Sequence, residues 1–168
     1  MVNRNLLLMR HAEADPAGAD LFRRLTPKGE RQAHAIGITL KHQNRMPEVI
    51  VAGHSARTQA TANIVAKALD FPAEHLIILP EIYDAQTRTL LEIINATDDS
   101  FISLLIIGHN PTISNTVSYL SQAKITSLNP ADVALLHADI ERWAYLSMDN
   151  AVLDVVWEAE NLRQELPE

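Results

Sequence analysis

The stretch NLLLMRHAEAD, residues 5–15, joins a short apolar run to an arginine and a histidine with no turn residue between them. An uninterrupted apolar run of this length is typical of a β-strand that is buried on both faces of a sheet. Arg10 and His11 then stand at the carboxyl end of that strand. The sequence thus indicates that a core strand holds two polar side chains at its end, which makes them candidate functional residues.

The composition restricts the classes of protein to which the chain can belong. A length of 168 residues and a hydrophobic fraction of 47% suit one domain with a substantial core, and we predict a single domain over residues 1–168. The formal net charge of −7 disfavours nonspecific binding to nucleic acid or to an anionic membrane. The chain has no cysteine and no apolar run long enough for a membrane span, and we expect a cytoplasmic protein.

Three more apolar runs follow the first strand and alternate with stretches of helical periodicity. The runs are EVIVAG (48–53), HLIILP (75–80) and FISLLIIGH (101–109). The helical stretches begin after Thr26, include residues 61–69 and 89–96, and resume at Pro111. An alternation of strand and helix is typical of an α/β fold whose parallel sheet carries helices on both faces.

The last third of the chain has a different pattern. The runs VALLHAD (133–139), WAYLSM (143–148) and AVLDVVWE (151–158) have no helix between them, and the pair DN at 149–150 suits a hairpin turn. We therefore predict a meander of three strands there. The predicted fold is a three-layer α/β sandwich with a mostly parallel sheet, helices on both faces and an antiparallel C-terminal edge.

Polar residues follow three of the predicted parallel strands, namely Arg10, His11, His54, Arg57 and His109. Ligands of open parallel sheets bind outside the carboxyl ends of the strands, so we expect the two arginines to converge with His11 and His109, with or without His54. Such a cluster in an acidic chain indicates an anion site. Phosphate is the natural candidate, because guanidinium groups bind its oxygens in pairs and a helix N-terminus follows His109.

Four segments resemble the histidine phosphatase superfamily. LMRHAEAD (8–15) is similar to its strand-end Arg-His motif, HSARTQATA (54–62) to its second-arginine segment, and IIGHNPTI (106–113) to its second-histidine segment. DLFRRLTPKG (20–29) resembles a segment of the small phosphohistidine phosphatases of the SixA type. An Arg-His dipeptide alone is unspecific, whereas this ordered set of four segments is specific.

The resemblance implies a phosphoglycerate mutase-like fold and a role for each matching position. His11 would be the nucleophile that takes the phosphoryl group. Arg10, Arg57 and His109 would bind the phosphoryl oxygens. A neutral imidazole can attack phosphorus and form a covalent intermediate that water later cleaves. The family mechanism requires no metal and no other cofactor.

The proton donor for the leaving group is less clearly marked. Many members of the family use an acid, and LPEIYDA (79–85) lies where that acid is expected. Glu81 matches best and Asp84 is the alternative. A phosphohistidine leaving group can also depart without a placed acid, whereas an alkoxide needs a proton.

Two further positions carry open alternatives. Arg23 is expected either to line the pocket or to form a surface pair with Asp20. The family often has Ser and Pro where this chain has Gly53 and His54. His54 would then either replace a phosphate contact or face solvent.

The short intervals between the motifs leave no room for the lid insertions of phosphoglycerate mutases or acid phosphatases. An uncovered pocket suits a bulky substrate, so the first hypothesis is a phosphatase that acts on phosphohistidine in a protein and releases inorganic phosphate. A phosphatase for small phosphomonoesters is the second hypothesis, and it needs a working acid. A non-catalytic phosphate-binding module is the third.

Overall fold

The computed structural model describes residues 2–162, which form one six-stranded sheet with helices on both faces. The strands are β1 (Asn3–Arg10), β2 (Val49–Ala52), β3 (Leu76–Ile78), β4 (Ser103–Gly108), β5 (Val133–Asp139) and β6 (Val152–Trp157). The helices are α1 (Pro27–His42), α2 (Ala56–Ala68), α3 (Thr87–Asn95) and α4 (Thr112–Ser121). None of the helices in this part of the chain is both long and apolar enough to cross a membrane.

The strand order is β3-β2-β4-β1-β5-β6. The first four strands in that order run parallel to one another, while β5 and β6 pair in the antiparallel sense. The predicted fold class is therefore confirmed, including the antiparallel C-terminal edge. Strands β1 and β4 lie at the centre of the sheet, where a ligand at their carboxyl ends has walls on both sides.

The alternation of side chains along β1 supplies both cores of the molecule. Leu6 and Leu8 face the core that contains helices α3 and α4, whereas Leu7 and Met9 face the core that contains α1 and α2. All four are at most 2% exposed. Because both faces of β1 are covered, its sequence is continuously apolar rather than alternating.

The C-terminal meander has two strands in place of the three that we predicted. Residues 143–148 form no strand: Trp143–Tyr145 is a short 3₁₀ turn, so the hairpin turn predicted at 149–150 does not join two strands. The indole of Trp143 is fully buried and donates its Nε1–H to the carbonyl of Phe101 at 2.7 Å. The apolar residues of this segment thus serve a connection that packs against the sheet.

Helix α1 begins directly beside the segment that follows β1. Thr26 caps the helix, because its Oγ1 accepts the Gly29 N–H at 2.9 Å. The backbone N–H of Thr26 donates to the carbonyl of Glu13 at 3.0 Å. Gly29 lies against that same carbonyl, so the helix start and the segment after His11 are in direct contact.

Replacing Gly29 with Ala is expected to lower the free energy of unfolding by roughly 1–3 kcal/mol, the usual cost of overpacking. The added Cβ would lie 2.1 Å from the Glu13 carbonyl oxygen, so helix and segment would have to separate. Urea denaturation measures the change. Lys28→Ala, at the exposed neighbouring position, is the matched control and should change stability by less than about 0.5 kcal/mol. Equal stabilities of the two variants would contradict the close approach.

Candidate active site

A cleft of about 370 Å³ opens at the carboxyl ends of the central strands. Its walls come from the ends of β1 and β4, the first turn of α2, the segment between β1 and α1, and the segment after β3. The lining residues are Arg10, His11, Asp20, Arg23, Arg57, Tyr83, Asp84, His109 and Asn110. The cleft therefore unites segments that are about a hundred residues apart in the chain.

His11 follows β1 directly and is held by its backbone. Its N–H donates to the Gly108 carbonyl at 3.0 Å, which ties the end of β1 to the end of β4. The ring Nδ1 lies 2.8 Å from the Ala12 carbonyl oxygen. A carbonyl oxygen can only accept, so Nδ1 carries the proton in the neutral ring and Nε2 retains its lone pair. His11 thus has the tautomer that a nucleophilic Nε2 requires.

The surroundings of His11 keep its ring uncharged. Burial lowers its pKa to about 3, and the nearby His109, Arg57 and Arg10 act in the same direction. The hydrogen bond to Ala12 opposes this shift but is outweighed. Burial therefore supplies the neutral imidazole that attack on phosphorus needs.

His109 follows β4 and lies edge-on to His11, with 5.3 Å between the ring centroids. Burial, together with the charge of Arg57, lowers the pKa of His109 to about 4. Its Nδ1 is 3.4 Å from Nη2 of Arg57, and a guanidinium can only donate. The proton of the neutral His109 ring is therefore on Nε2, which makes this nitrogen a hydrogen-bond donor.

Each arginine is tethered through one terminal nitrogen to a loop carbonyl. Arg10 Nη1 donates to the Leu128 carbonyl at 2.9 Å, and Arg57 Nη1 donates to the Asp20 carbonyl at 2.7 Å. The Leu128 carbonyl also accepts the Asn110 side-chain amide at 2.8 Å. Two loops thus orient the two guanidinium groups before any ligand arrives.

Three buried N–H groups of cleft residues have no hydrogen-bond partner among the described residues, namely Arg10 Nε, Arg57 Nε and His109 Nε2. An unpaired buried donor costs about 1–3 kcal/mol, and more when it is charged. Donors from three separate elements that share this feature indicate an anion with several oxygens. A phosphoryl group meets that requirement.

Asp20 connects the two sides of the cleft. Its carboxylate accepts from Arg57 Nη2 at 3.2 Å, from Arg23 Nη1 at 3.1 Å and from the Tyr83 hydroxyl. The bonds from Tyr83 and Arg23 are the main causes that lower the pKa of Asp20 to about 2. Asp20 is therefore ionised near neutral pH and contributes a negative charge to a cationic cleft.

The structure brings Arg10, His11, Arg57 and His109 together, and it places Arg23 at the same cleft. Glu81 does not join them. It is exposed on the 3₁₀ turn Pro80–Ile82, because the adjacent Ile82 turns inward and is 2% exposed. The alternative acid, Asp84, lines the cleft.

His54 lies outside the cleft lining, with its ring centroid 5.4 Å from that of Tyr83 in an edge arrangement. Three lining residues had no assigned role in the sequence analysis, namely Asp20, Tyr83 and Asn110. The Asp20–Arg23 spacing in the SixA-like motif was a signal for the first, and Asn110 stands next to His109. Tyr83 carried no signal beyond its proximity to the expected acid.

No group of three or more His, Asp or Glu side chains within residues 2–162 is arranged to hold a metal ion. The expectation that no cofactor takes part stays a prediction.

Comparison with known proteins agrees with this arrangement. A model of the histidine phosphatase superfamily (branch 1) matches residues 6–101. An uncharacterised protein of Mycobacterium tuberculosis is 36% identical over 108 residues, which cover 63% of this chain and 65% of that protein, just under two thirds of its length. An uncharacterised protein of Mycobacterium leprae is 28% identical over 160 residues, which cover 86% of this chain and 96% of that protein.

Solved structures are similar over nearly the whole chain. A protein from Nakamurella multipartitia, provisionally described as a SixA phosphohistidine phosphatase, is 30% identical with a TM-score of 0.77, covering 94% of this chain and 97% of that one. The protein histidine phosphatase SixA in complex with tungstate has a TM-score of 0.81 over 94% of this chain and 98% of that one. At 22% identity, the latter shows the shared fold alone.

Protonation of the buried His11 is expected to weaken the fold in acid. Its pKa of about 3 in the folded protein lies below the ordinary 6.5, so the unfolded chain binds more protons between these values. Stability therefore falls as the pH falls through that window. We expect His11→Asn to lose less stability than the wild type between pH 7.5 and 5, by up to about 2 kcal/mol.

Urea denaturation at a series of pH values measures this difference. His42→Asn is the matched control, because it replaces an exposed imidazole at the end of α1, outside the cleft, by the same amide. Parallel pH profiles for His11→Asn and the wild type would contradict a buried neutral His11.

Proposed function

The chain belongs to the histidine phosphatase superfamily, and on this basis we propose that it hydrolyses phosphohistidine on a protein substrate through a covalent intermediate on His11. One observation carries the proposal. A neutral imidazole with a free Nε2 lies in the same cleft as three unpartnered N–H donors, Arg10 Nε, Arg57 Nε and His109 Nε2. A nucleophile and donors for phosphoryl oxygens are the two parts that this reaction requires.

In the first step, Nε2 of His11 attacks phosphorus and a new N–P bond forms. The N–P bond of the substrate breaks, and the leaving imidazole nitrogen takes up a proton from solvent water. Positive charge develops on the His11 ring, and the Ala12 carbonyl that accepts its Nδ1–H stabilises that charge. The guanidinium groups of Arg10 and Arg57 offset the negative charge of the phosphoryl oxygens.

In the second step, water attacks the phosphorus of phosphorylated His11. The N–P bond to His11 breaks, inorganic phosphate leaves, and the ring returns to its neutral form. His109 Nε2 donates to a phosphoryl oxygen in both steps, because its lowered pKa of about 4 keeps the ring a donor without an additional full charge. In this mechanism the arginines offset the negative charge of the phosphoryl group, His11 is the nucleophile and His109 is a hydrogen-bond donor.

Support for a protein substrate comes from the shape of the site and from similarity. The longest segment that borders the cleft is residues 11–26, which is too short to form a covering domain, so a phosphorylated side chain on a folded partner can approach. The similarity to a structure described as a SixA phosphohistidine phosphatase favours the same substrate class. Inorganic phosphate as product and a cytoplasmic location belong to this proposal.

A phosphatase for small phosphomonoesters is the second candidate, and Asp84 is the observation that favours it. An alkoxide leaving group needs a proton donor, and Asp84 lines both the main cleft and an adjoining cleft of about 210 Å³. The adjoining cleft has the apolar wall residues Ile82, Leu90 and Pro111. It offers space for a leaving group next to the phosphoryl site.

Turnover should depend wholly on His11. We expect His11→Ala to lower kcat by at least about 10³-fold, because Nε2 of His109, the other imidazole that lines the cleft, carries a proton and has no lone pair for attack. The measurement compares release of inorganic phosphate from a phosphohistidine protein and from a panel of phosphomonoesters. His42→Ala, at an exposed position, is the control and should retain wild-type rates.

Rapid quenching in alkali should also trap phosphate on wild-type His11, and acid should release it. Full activity of His11→Ala would refute the mechanism. Turnover of small phosphomonoesters alone would refute the proposed substrate. Binding of phosphate without turnover of any substrate would leave a phosphate-binding module.

Substitution of Asp84 and of Glu81 tests which of the two side chains is the general acid. On alkyl phosphates we expect Asp84→Asn to lower kcat by about 10²-fold, the usual contribution of a general acid. Glu81→Gln is the matched control, since Glu81 is exposed outside the cleft, and its rate should equal that of the wild type. Steady-state rates on phenyl and alkyl phosphates measure both effects. A slow Glu81→Gln variant beside a fast Asp84→Asn variant would reverse the assignment.

A further inference from the structure

Arg57 and Asp20 make a contact that the catalytic steps above do not use. Arg57 donates Nη1–H to the main-chain carbonyl of Asp20 and Nη2–H to its carboxylate. The side chain of Arg57 is 7% exposed, whereas that of Asp20 is 53% exposed. A surface residue thus binds both terminal nitrogens of a buried guanidinium from one side.

This contact determines which edge of the guanidinium remains available. With Nη1 and Nη2 both directed at Asp20, the unpartnered donor of Arg57 is Nε. Arg10 is tethered less completely, because the Leu128 carbonyl accepts from its Nη1 alone, and its Nε also has no partner among the described residues. Arg10, Arg57 and His109 all line the cleft, and each has one buried N–H without a partner among the described residues, namely Nε, Nε and Nε2.

Asp20 is itself held in place by two further groups. Its carboxylate accepts from Arg23, at 3.1 Å, and from the hydroxyl of Tyr83. The ring of Tyr83 lies edge-on to that of His109, with 5.7 Å between the centroids. The orientation of Asp20 is thus coupled to both sides of the cleft.

We propose that Asp20 is a positioning residue for the phosphate site, which orients Arg57 so that its Nε–H joins those of Arg10 and His109 on the oxygens of a phosphoryl group. The proposal rests on the proposed function only in assigning the cleft to phosphate. Although Asp20 is an anion in an anion site, its removal weakens phosphate binding, because a misdirected guanidinium costs more than a nearby carboxylate repels.

The test is a double-mutant cycle with inorganic phosphate as the probe, measured by isothermal titration calorimetry. Asp20→Asn retains the main-chain contact and removes the charge, and we expect it to raise the Kd for phosphate about tenfold in the wild-type background. In the Arg57→Ala background the same change should not raise Kd. Without the guanidinium, the only effect of Asp20→Asn is to remove the repulsion between the carboxylate and phosphate. A purely structural role would give the same effect in both backgrounds and a lower thermal unfolding midpoint.

Two variants serve as comparisons. Asp15→Asn removes the same charge from the same loop, but this carboxylate binds the Ala17 N–H and no arginine, so Kd should stay at the wild-type value. Tyr83→Phe retains the ring against His109 and removes the hydroxyl that holds Asp20. It should raise Kd by less than Asp20→Asn does, and it keeps the idea testable if Arg57→Ala does not fold.

Tighter phosphate binding by Asp20→Asn would overturn the proposal and make Asp20 a competitor for the site. An equal loss in the two Arg57 backgrounds would also overturn it. A wild type that binds phosphate with no effect of Asp20→Asn refutes the positioning role alone. A wild type that binds no phosphate refutes the proposed function itself.

Discussion

The parallel pairing of β1 with β4 is the interaction on which the site depends. In this register Arg10 lies opposite Gly108, and the His11 N–H donates to the Gly108 carbonyl, so both strands end at the same level. The next residue of each strand's chain is a histidine, and the two rings are therefore neighbours. Burial of both faces of β1 fixes this register, because a slip by one residue would exchange the side chains of the two cores.

The cleft combines positively charged arginines with histidines that remain neutral. An acidic chain gathers three arginines at one place, yet the two histidines there stay neutral. Burial is the first cause in both cases, and the arginines reinforce it by raising the cost of a further positive charge. In the proposed mechanism, the guanidinium groups that would bind phosphate also keep His11 neutral, and so preserve the lone pair that would attack phosphorus. The carboxylate side chains of Asp20 and Asp84 line the same cleft and offset part of its positive charge.

The prediction from sequence succeeded where a periodic pattern spans a whole element. Strand β1 was predicted from its continuous apolar run, and helix α1 from apolar residues that recur at helical spacing. It failed at residues 143–148, where an apolar segment resembles a strand but Trp143 donates to Phe101 and packs as a turn. The sequence also favoured Glu81 as the acid, and whether it acts as one stays a prediction. The structure leaves Glu81 outside the cleft lining, because the direction of a side chain on a three-residue turn depends on which neighbour is buried, here Ile82.

The sequence by itself determined the α/β class, the family, and the convergence of His11, His109 and the two arginines. The class follows from the alternation of strands and helices, and the family from the four segments that resemble its motifs. The convergence follows because parallel strands that are adjacent in a sheet end at one edge. Only the tertiary structure decided the protonation of the histidines, the contact of Asp20 with Arg57, and which of the carboxyl groups of Glu81 and Asp84 lines the cleft. Those features depend on burial and on side-chain direction. Both result from contacts between residues that are distant in the chain, so they produce no periodic pattern in the sequence.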